Sequence, residues 1–403
     1  MRAVIAGGGV AGLEALIAVR DLAGDRVELT LVTPEPDFVY RPLAVEEPFY
    51  HQPAERRVLE PVAREFDAKL VAQPLVAVDA NRHEALLGDG SSLFYDALIV
   101  CIGGRTKPPY GSALTFTAEE DQLAIDELLR GDGEPTRHVA FVVPPGVTWS
   151  LPAYELALMT RGRADRLGLA AVALSLHSPE DSPLAVFGTA PSDHVARLLA
   201  ARRIGFHGGN YVTERDGTLY TVPAEEPLDA DVAVALPLIE GPRVEGLPCD
   251  EAGFIPIDEH ARVIGTDGVY AAGDGTNFPV KQGGIATQQA DAAAEHLAAR
   301  AGADVEPQPF RPVLRGKLLV GEESISMRQR LGSEGGDGIV SLDYLWWPPH
   351  KISGRYLAPW LGGEDPRIES VLPLRPLDVE ISLSTEWHSE SGAPGPETPS
   401  DAG

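Results

Sequence analysis

A run of glycines near the amino terminus constrains the fold of this chain more than any other feature. Gly7, Gly9 and Gly12 stand in the spacing GxGxxG between an apolar segment, 2–6, and a stretch with helical periodicity, 13–22. The first glycine of this pattern permits a tight turn, the second lets the backbone approach a pyrophosphate, and the third lets helix and strand pack closely. A turn needed only for packing would not require all three. The pattern therefore predicts a βαβ unit that binds a dinucleotide at a helix N-terminus.

The end of the next strand determines how the ribose of such a dinucleotide would be held. A second buried strand over 27–32 follows the turn by about twenty residues, as expected in a βαβ unit. An acid at the end of this strand commonly contacts the ribose. Here the strand ends in Thr33-Pro34-Glu35, so the carboxylate comes two residues later than usual. Glu35 is a candidate for the ribose contact, and a solvated loop acid is the alternative.

The apolar segments further along the chain of 403 residues predict an α/β protein with two Rossmann-like dinucleotide-binding domains. Strands over 70–78, 83–87 and 92–100 suggest a β-meander, and the strand 137–143 starts a second α/β unit. The strand that begins at Val232 is expected to return to a discontinuous first domain. A Trp- and Pro-rich C-terminal module and a polar, disordered tail should follow. The expected divisions are 1–111 with 232–309, then 112–231, 310–387 and 388–403.

Charge and cysteine content exclude several classes of function. With 33 Lys and Arg against 60 Asp and Glu, the formal net charge is −27, so the chain repels nucleic acid and anionic lipids. Neither Cys101 nor Cys249 has the neighbouring ligands of a zinc site. We therefore expect no nucleic-acid partner, no metal and no disulfide framework. With neither a signal peptide nor a membrane-spanning apolar run in the sequence, we expect a cytoplasmic protein.

Two further segments resemble motifs of a known family. Residues 268–274, GVYAAGD, resemble the second flavin-binding motif of the FAD oxidoreductases with two dinucleotide-binding domains, the pyridine nucleotide-disulfide oxidoreductase type. Residues 95–104 are similar to the linking strand of that family, with Cys-Ile-Gly in place of Ala-Thr-Gly. The most similar branch holds the sulfide:quinone oxidoreductases and the class II NADH dehydrogenases. The resemblance covers roughly residues 1 to 310 and implies FAD as the cofactor.

The resemblance also implies roles for individual residues. Asp274 matches the aspartate that binds the ribityl and phosphate region of FAD. Lys281 and Gln282 precede a long helix whose N-terminus, with a cation nearby, would stabilise the reduced flavin; a solvated lysine is the alternative. The other residues expected to contact FAD are Gly7, Gly9, Val10, Ala11, Gly12, Glu35, Arg41, Pro42, Val76, Cys101, Gly103 and Gly273.

Departures from this branch bear on the substrate. The turn of the second unit begins Pro144-Pro145-Gly146, and prolines lack the N–H groups of a phosphate cradle, so we expect a vestigial nicotinamide site. Trp149 stands where the sulfide:quinone enzymes carry a redox cysteine, and no cysteine follows Cys249. The resemblance therefore extends to the fold and the flavin rather than to sulfide oxidation.

Two further features of the sequence bear on catalysis and on binding partners. By the family match Glu155 heads a helix directed at the flavin, so it is a candidate for proton transfer. A helix cap or an interdomain ion pair is the alternative role. The aromatic segment 344–360 suits a packed lid or a dimer face, or else quinone or peripheral membrane contact.

Together these residues predict an FAD-dependent oxidoreductase that passes electrons from a small reductant to a quinone-like or other acceptor. The expected partners are these small molecules, and a homodimer is compatible with the sequence. An NAD(P)H:acceptor oxidoreductase is the alternative among enzymes. A flavin-binding sensor or interaction protein without turnover is the alternative outside them.

Overall fold

A computed structural model provides the fold of the chain. The expected disordered tail, 388–403, and the first part of an expected helix, 118–130, lie outside the residues that it describes. No helix in the described part of the chain is long and apolar enough to cross a bilayer. The described residues are 1–50, 54–117, 124–131, 136–321, 323–331 and 338–363.

Helices alternate with strands in two parts of the chain, 1–71 and 125–207, and consecutive strands occupy 68–115 and 204–271. Short 3-10 segments lie at 24–26, 41–46 and 185–187. The α-helices are α1 (Val10–Ala23), α2 (Glu47–Tyr50), α3 (Leu59–Glu65), α4 (Ile125–Arg130), α5 (Leu151–Arg166), α6 (Thr189–Ala201), α7 (Gly283–Arg300) and α8 (Leu357–Leu361). The strands are β1 (Arg2–Ala6), β2 (Glu28–Val32), β3 (Asp37–Val39), β4 (Arg56–Val58), β5 (Ala68–Val71), β6 (Leu75–Asp79), β7 (Glu84–Leu87), β8 (Ser92–Phe94), β9 (Ala97–Val100), β10 (Arg105–Lys107), β11 (Leu114–Thr115), β12 (His138–Val142), β13 (Ala173–His177), β14 (Ile204–His207), β15 (Tyr211–Arg215), β16 (Thr218–Val222), β17 (Glu226–Pro227), β18 (Val232–Ala235), β19 (Leu238–Glu240), β20 (Val269–Ala271), β21 (Val313–Leu319), β22 (Ser324–Arg330) and β23 (Ile339–Ser341).

The first domain is built around a five-stranded parallel sheet in the order β20-β9-β1-β2-β5. Counted along the chain, this is the strand order of a Rossmann fold. The helices α1 and α7 pack on it, and their apolar faces share one core through Leu13, Leu16, Ala290 and Leu297. The glycine turn follows β1, so it lies at the carboxyl edge of the sheet, where ligands of such folds bind. The predicted α/β fold is confirmed.

The second domain has a similar parallel sheet in the order β14-β13-β12-β18-β11, but its edge strand β11 comes first along the chain, whereas β20 comes last in the first sheet. The expectation that the strand starting at Val232 returns to the first sheet is wrong, because β18 pairs with β12. Val234 of β18 and Phe141 of β12 belong to the same apolar core. A continuous apolar run predicts a buried parallel strand but does not specify its neighbour. The chain leaves the second sheet only at β19, which pairs with β10.

The strands predicted over 70–78 and 92–100 are each split in two. The residues 72–74 separate β5 of the parallel sheet from β6, and Tyr95-Asp96 separates β8 from β9. Pro74 lies in the first break, where its missing N–H costs no ladder hydrogen bond. The strands β6, β7 and β8 form the predicted antiparallel meander, apart from the parallel sheet.

The described part of the C-terminal segment shares the cores of both domains. Strands β21, β22 and β23 form an antiparallel sheet whose apolar residues Leu318 and Met327 lie in the core of the second domain. A Cβ atom on Gly316 would lie 2.5 Å from the ring of Phe187, so this sheet is pressed against the second domain. Helix α8 instead packs on α1, with Leu357 and Trp360 in the core of the first domain. The segment therefore connects the two domains.

Candidate functional site

The glycine turn has the geometry of a pyrophosphate cradle. Gly7 has φ +118, and a Cβ atom there would lie 2.2 Å from the carbonyl oxygen of Cys101. A Cβ atom on Gly12 would lie 1.8 Å from the carbonyl oxygen of Gly7, so both glycines are required by the fold itself. Among the described residues, no atom lies within 4 Å of a Cβ built on Gly9, the N-cap of α1, and no side chain caps this helix. The turn therefore leaves the first amides of α1 open to an anion.

The end of β2 lies against this turn. The amide of Gly7 donates to the carbonyl of Val32 at 2.7 Å, and a Cβ on Gly8 would lie 3.2 Å from the side chain of Thr33. Glu35 follows with its side chain in solvent. Glu35 therefore lies at the carboxyl edge of the sheet, and its side chain is exposed.

The predicted motifs after β9 and β20 meet the glycine turn. A Cβ on Gly273 would lie 3.3 Å from the Cβ of Ala11, and a Cβ on Gly275 would lie 2.9 Å from the carbonyl oxygen of Gly103. Asp274 follows Gly273 directly and is half-buried. Burial raises the pKa of its carboxyl group, and the ammonium group of Lys281 opposes this shift. Three segments that are far apart in sequence thus converge at one sheet edge.

Lys281 and Gln282 occupy the entrance to α7. The ammonium group of Lys281 donates to the carbonyl of Thr276 and lies 3.7 Å from the ring centroid of Phe254. Burial lowers the pKa of Lys281 to about 8, while Asp274 and Asp250 act in the opposite direction.

Gln282 has a structural task at the same helix end. Its Oε1 atom accepts from the amide of Ile285 at 2.9 Å, and its Nε2 atom donates to the carbonyl of Arg315 at 3.1 Å. Gln282 therefore caps α7 and ties it to β21. The helix begins at Gly283, directly after Gln282, as the sequence predicts.

Glu155 forms a buried ion pair across the molecule. Its Oε2 atom accepts from Lys351 Nζ at 2.7 Å, and its Oε1 atom accepts from the amide of Leu319 at 2.9 Å. The carboxylate is fully buried and Lys351 is 9% exposed. Burial raises the pKa of Glu155, and the Lys351 ammonium opposes the shift. The sequence did not identify Lys351 as this partner, because no local pattern marks a pair 196 residues apart.

Side chains of the second domain pack against one another beside the start of α5, directly after its turn. The indole of Trp149 packs edge-on against Phe187, with ring centroids 5.8 Å apart. Glu180 Oε2 accepts from the hydroxyls of Tyr154 at 2.9 Å and Ser178 at 3.0 Å. Burial raises the pKa of Glu180, although hydrogen bonds from Ser150, Tyr154 and Ser178 oppose the shift.

Glu180 was not predicted as a site residue, although a tripeptide pattern in the sequence marks its position. Ser178-Pro179-Glu180 ends β13 as Thr33-Pro34-Glu35 ends β2, the corresponding strand of the first domain. Glu35 is exposed, whereas Glu180 is turned inward onto Tyr154. The acid that ends this tripeptide therefore points into solvent in the first domain and inward in the second.

The remaining predicted residues are spread more widely. Arg41 and Pro42 begin the 3-10 segment 41–46 after β3, and Val76, 50% exposed, lies on the separate antiparallel meander. Cys101 is buried beneath Gly7, and burial raises the pKa of its thiol to about 12. Within the described ranges, no cluster of three or more His, Cys, Asp or Glu residues could hold a metal ion.

A Rossmann sheet with a GxGxxG turn, joined by a second motif at its carboxyl edge and followed by a second parallel sheet, defines a protein with two dinucleotide-type domains. The sequence profile described as pyridine nucleotide-disulphide oxidoreductase matches residues 1–294. The chain therefore belongs to the pyridine nucleotide-disulphide oxidoreductase family.

Solved structures with the same fold include three oxidoreductases. The sulfide:quinone oxidoreductase from Aquifex aeolicus aligns over 84% of this chain and 86% of its own, with a TM-score of 0.73 and 19% identity. A ferredoxin reductase from Rhodopseudomonas palustris aligns over 82% and 83%, with a TM-score of 0.61 and 18% identity. An NAD-dependent persulfide reductase from A. fulgidus aligns over 81% and 64%, with a TM-score of 0.58 and 18% identity. At these identities the likeness establishes the fold.

Proposed function

We propose that the protein is an FAD-dependent oxidoreductase that passes electrons from a small reductant to a quinone-like or other acceptor without a redox disulfide. The observation that carries the proposal is the convergence of three cofactor motifs at one sheet edge, with open space at Gly9. Bound FAD supplies redox chemistry that protein side chains lack. The amides of Val10 and Ala11 would hold its pyrophosphate, and Asp274 its ribityl region.

The state of the cysteines supports a mechanism without a disulfide. Cys101 and Cys249 are both free, the first buried and the second exposed. A buried thiol with a pKa of about 12 stays protonated near neutral pH, and the thiolate is the reactive form. Trp149 packs against Phe187 at the position where a redox cysteine is expected.

The second domain supports a donor other than NAD(P)H. Pro144 and Pro145 provide no N–H groups at its turn, and Glu180 directs a carboxylate into the same region. Glu180 lies at the strand end where an acid commonly contacts the ribose of a dinucleotide, and here its carboxylate accepts instead from the hydroxyls of Tyr154 and Ser178.

Glu155 would transfer protons, and Lys351 would position it. Burial raises the pKa of the Glu155 carboxyl group, which suits it to take up a proton, and Lys351 Nζ holds it at 2.7 Å. The exposed apolar side chains of Leu342, Tyr344 and Trp347 support an apolar acceptor.

An anaerobic absorbance titration of the purified protein tests this function. We expect FAD to copurify, its absorbance band to persist with micromolar NADH or NADPH, and bleaching by a small reductant to be reversed by a soluble quinone. If the protein holds no flavin and takes none up, the proposal fails. Bleaching by a nicotinamide would instead support the NAD(P)H:acceptor oxidoreductase. Inertness to every donor, with a stable protein complex, would support the non-catalytic flavoprotein.

A further inference from the structure

The last described stretch, 351–361, crosses the first domain and is here called the C-terminal strap. It is fastened to Glu14, a fully buried acid on α1. Glu14 Oε1 accepts from the amide of Tyr356 and Oε2 from the amide of Leu357, each at 2.8 Å. Burial raises the pKa of Glu14, and the two amides, each aimed at one oxygen of the carboxyl group, oppose this shift by favouring the ionised form.

A second carboxyl group lies against the first. Asp291 on α7 hydrogen-bonds to Glu14, and its Oδ1 atom is buried without a donor among the described residues. Two buried carboxylates in contact do not both ionise without a large electrostatic cost. Because both oxygens of Glu14 already accept from amides, the shared proton belongs on Asp291, which donates it to Glu14. Burial and Glu14 together raise the pKa of Asp291 well above its ordinary value.

The strap follows this pair closely and covers the entrance to α7. A Cβ atom on Gly354 would lie 2.3 Å from Glu14 Oε2. A Cβ atom on Gly283, the first residue of α7, would lie 2.4 Å from Cδ1 of Ile352. The amide of Ile352 donates to the hydroxyl of Tyr40 at 2.8 Å. The same chain segment is therefore packed on the carboxyl pair and on the helix end beside the candidate cofactor site.

Charged groups on the elements packed around Glu14 and Asp291 also act on the ionisation of these two acids. Arg355 of the strap lowers the pKa of Asp291, while Glu295 on α7 raises it. Arg355 and Glu295 also pair with each other at 3.1 Å. The remaining titratable or charged groups near this cluster are Arg315, Arg328, the hydroxyl of Tyr356 and Asp21.

We propose that Glu14 and Asp291 form a pH-sensitive fastening that holds the strap over the entrance to α7 while they share one proton. For an acid whose pKa is raised by folding, the stabilising contribution is present at low pH and is lost as pH rises through the folded-state pKa. Ionisation of Asp291 places two like charges beneath the strap. The strap then loosens as pH rises, whether or not a cofactor is bound.

Amide hydrogen exchange of the full chain tests the fastening. Peptides that cover 350–361 are compared at each pH, from about 6 to about 9, between the wild type and Asp291→Asn. Asparagine still donates to Glu14 but does not ionise, and the ratio cancels the intrinsic pH dependence of exchange. We expect wild-type protection relative to Asp291→Asn to fall by up to about tenfold per pH unit. A ratio that does not change with pH overturns the proposal.

A second variant separates the fastening from general stability. Glu14→Gln keeps one acceptor oxygen for the two strap amides, so strap protection should fall several-fold at every pH. Peptides that cover β12 and β13, in the second domain, should keep wild-type protection in both variants. Unchanged strap protection in Glu14→Gln would also overturn the proposal. This measurement is made without added flavin, so its outcome does not depend on the proposed oxidoreductase activity.

Discussion

Lys351 Nζ lies 2.7 Å from Glu155 Oε2, in an ion pair whose carboxylate is fully buried. Glu155 belongs to α5 of the second domain, and Lys351 belongs to the strap that crosses the first domain. The pair therefore joins the two domains through a segment near the carboxyl end of the chain. Loss of either partner should lower the free energy of unfolding, because water cannot solvate the buried charge that remains.

Replacement of Lys351 tests the strength of this connection. Lys351→Met removes the cation and leaves Glu155 buried and unpaired, so the free energy of unfolding should fall by about 3–5 kcal/mol. The double variant Glu155→Gln with Lys351→Met should regain part of this loss. Chemical denaturation of all three proteins measures both effects. Equal stability of Lys351→Met and wild type would contradict a tight buried pair.

Gly9 offers a test of cofactor binding that leaves the fold intact. Its φ of −85 suits any residue, and a Cβ atom built there meets no atom of the described residues within 4 Å. Gly9→Val should therefore fold normally but lose most bound flavin, because the new methyl groups occupy the space left for a pyrophosphate. The flavin-to-protein absorbance ratio measures the loss. Gly162→Ala, in α5, is the control, since its Cβ meets only the end of Arg166 at 3.9 Å. Full flavin occupancy in Gly9→Val would contradict the assignment of the turn.

The glycine turn was predictable because its constraints are local. Gly7 and Gly12 contact each other, and the steric demands of this contact are readable from their spacing. The neighbour of β18 was not predictable, because Val232 to Ala235 are apolar in a way that suits either sheet. The Glu155–Lys351 pair was equally hidden, since only the packing of the C-terminal segment on both domains brings these residues together. Glu180 lies between these cases, because the resemblance of Ser178-Pro179-Glu180 to Thr33-Pro34-Glu35 could have identified its position but not its inward orientation.

Lys281 should give the protein a distinctive alkaline pH dependence. Its pKa is lowered by burial from 10.5 to about 8, so between these values the unfolded chain binds more protons than the folded one. Stability therefore rises with pH across this window and is lost as pH falls through about 8. Lys281→Met should remove this contribution, on the order of 1 kcal/mol once solvent screening is allowed for. Parallel denaturation curves of wild type and variant test it, and an identical pH dependence would contradict the burial of this lysine.

Glu180 separates two explanations for the proposed loss of a second dinucleotide site. Glu180→Ala leaves the hydroxyls of Tyr154 and Ser178 without their acceptor, which should cost about 1–3 kcal/mol of stability. Glu180→Gln retains an acceptor oxygen and should cost less. Neither variant should bind NADH, because Pro144 and Pro145 still provide no N–H groups for a phosphate. Calorimetric titration with NADH measures this directly. If Glu180→Ala binds NADH, the inward carboxylate alone blocks the site, and the two prolines are compatible with a dinucleotide.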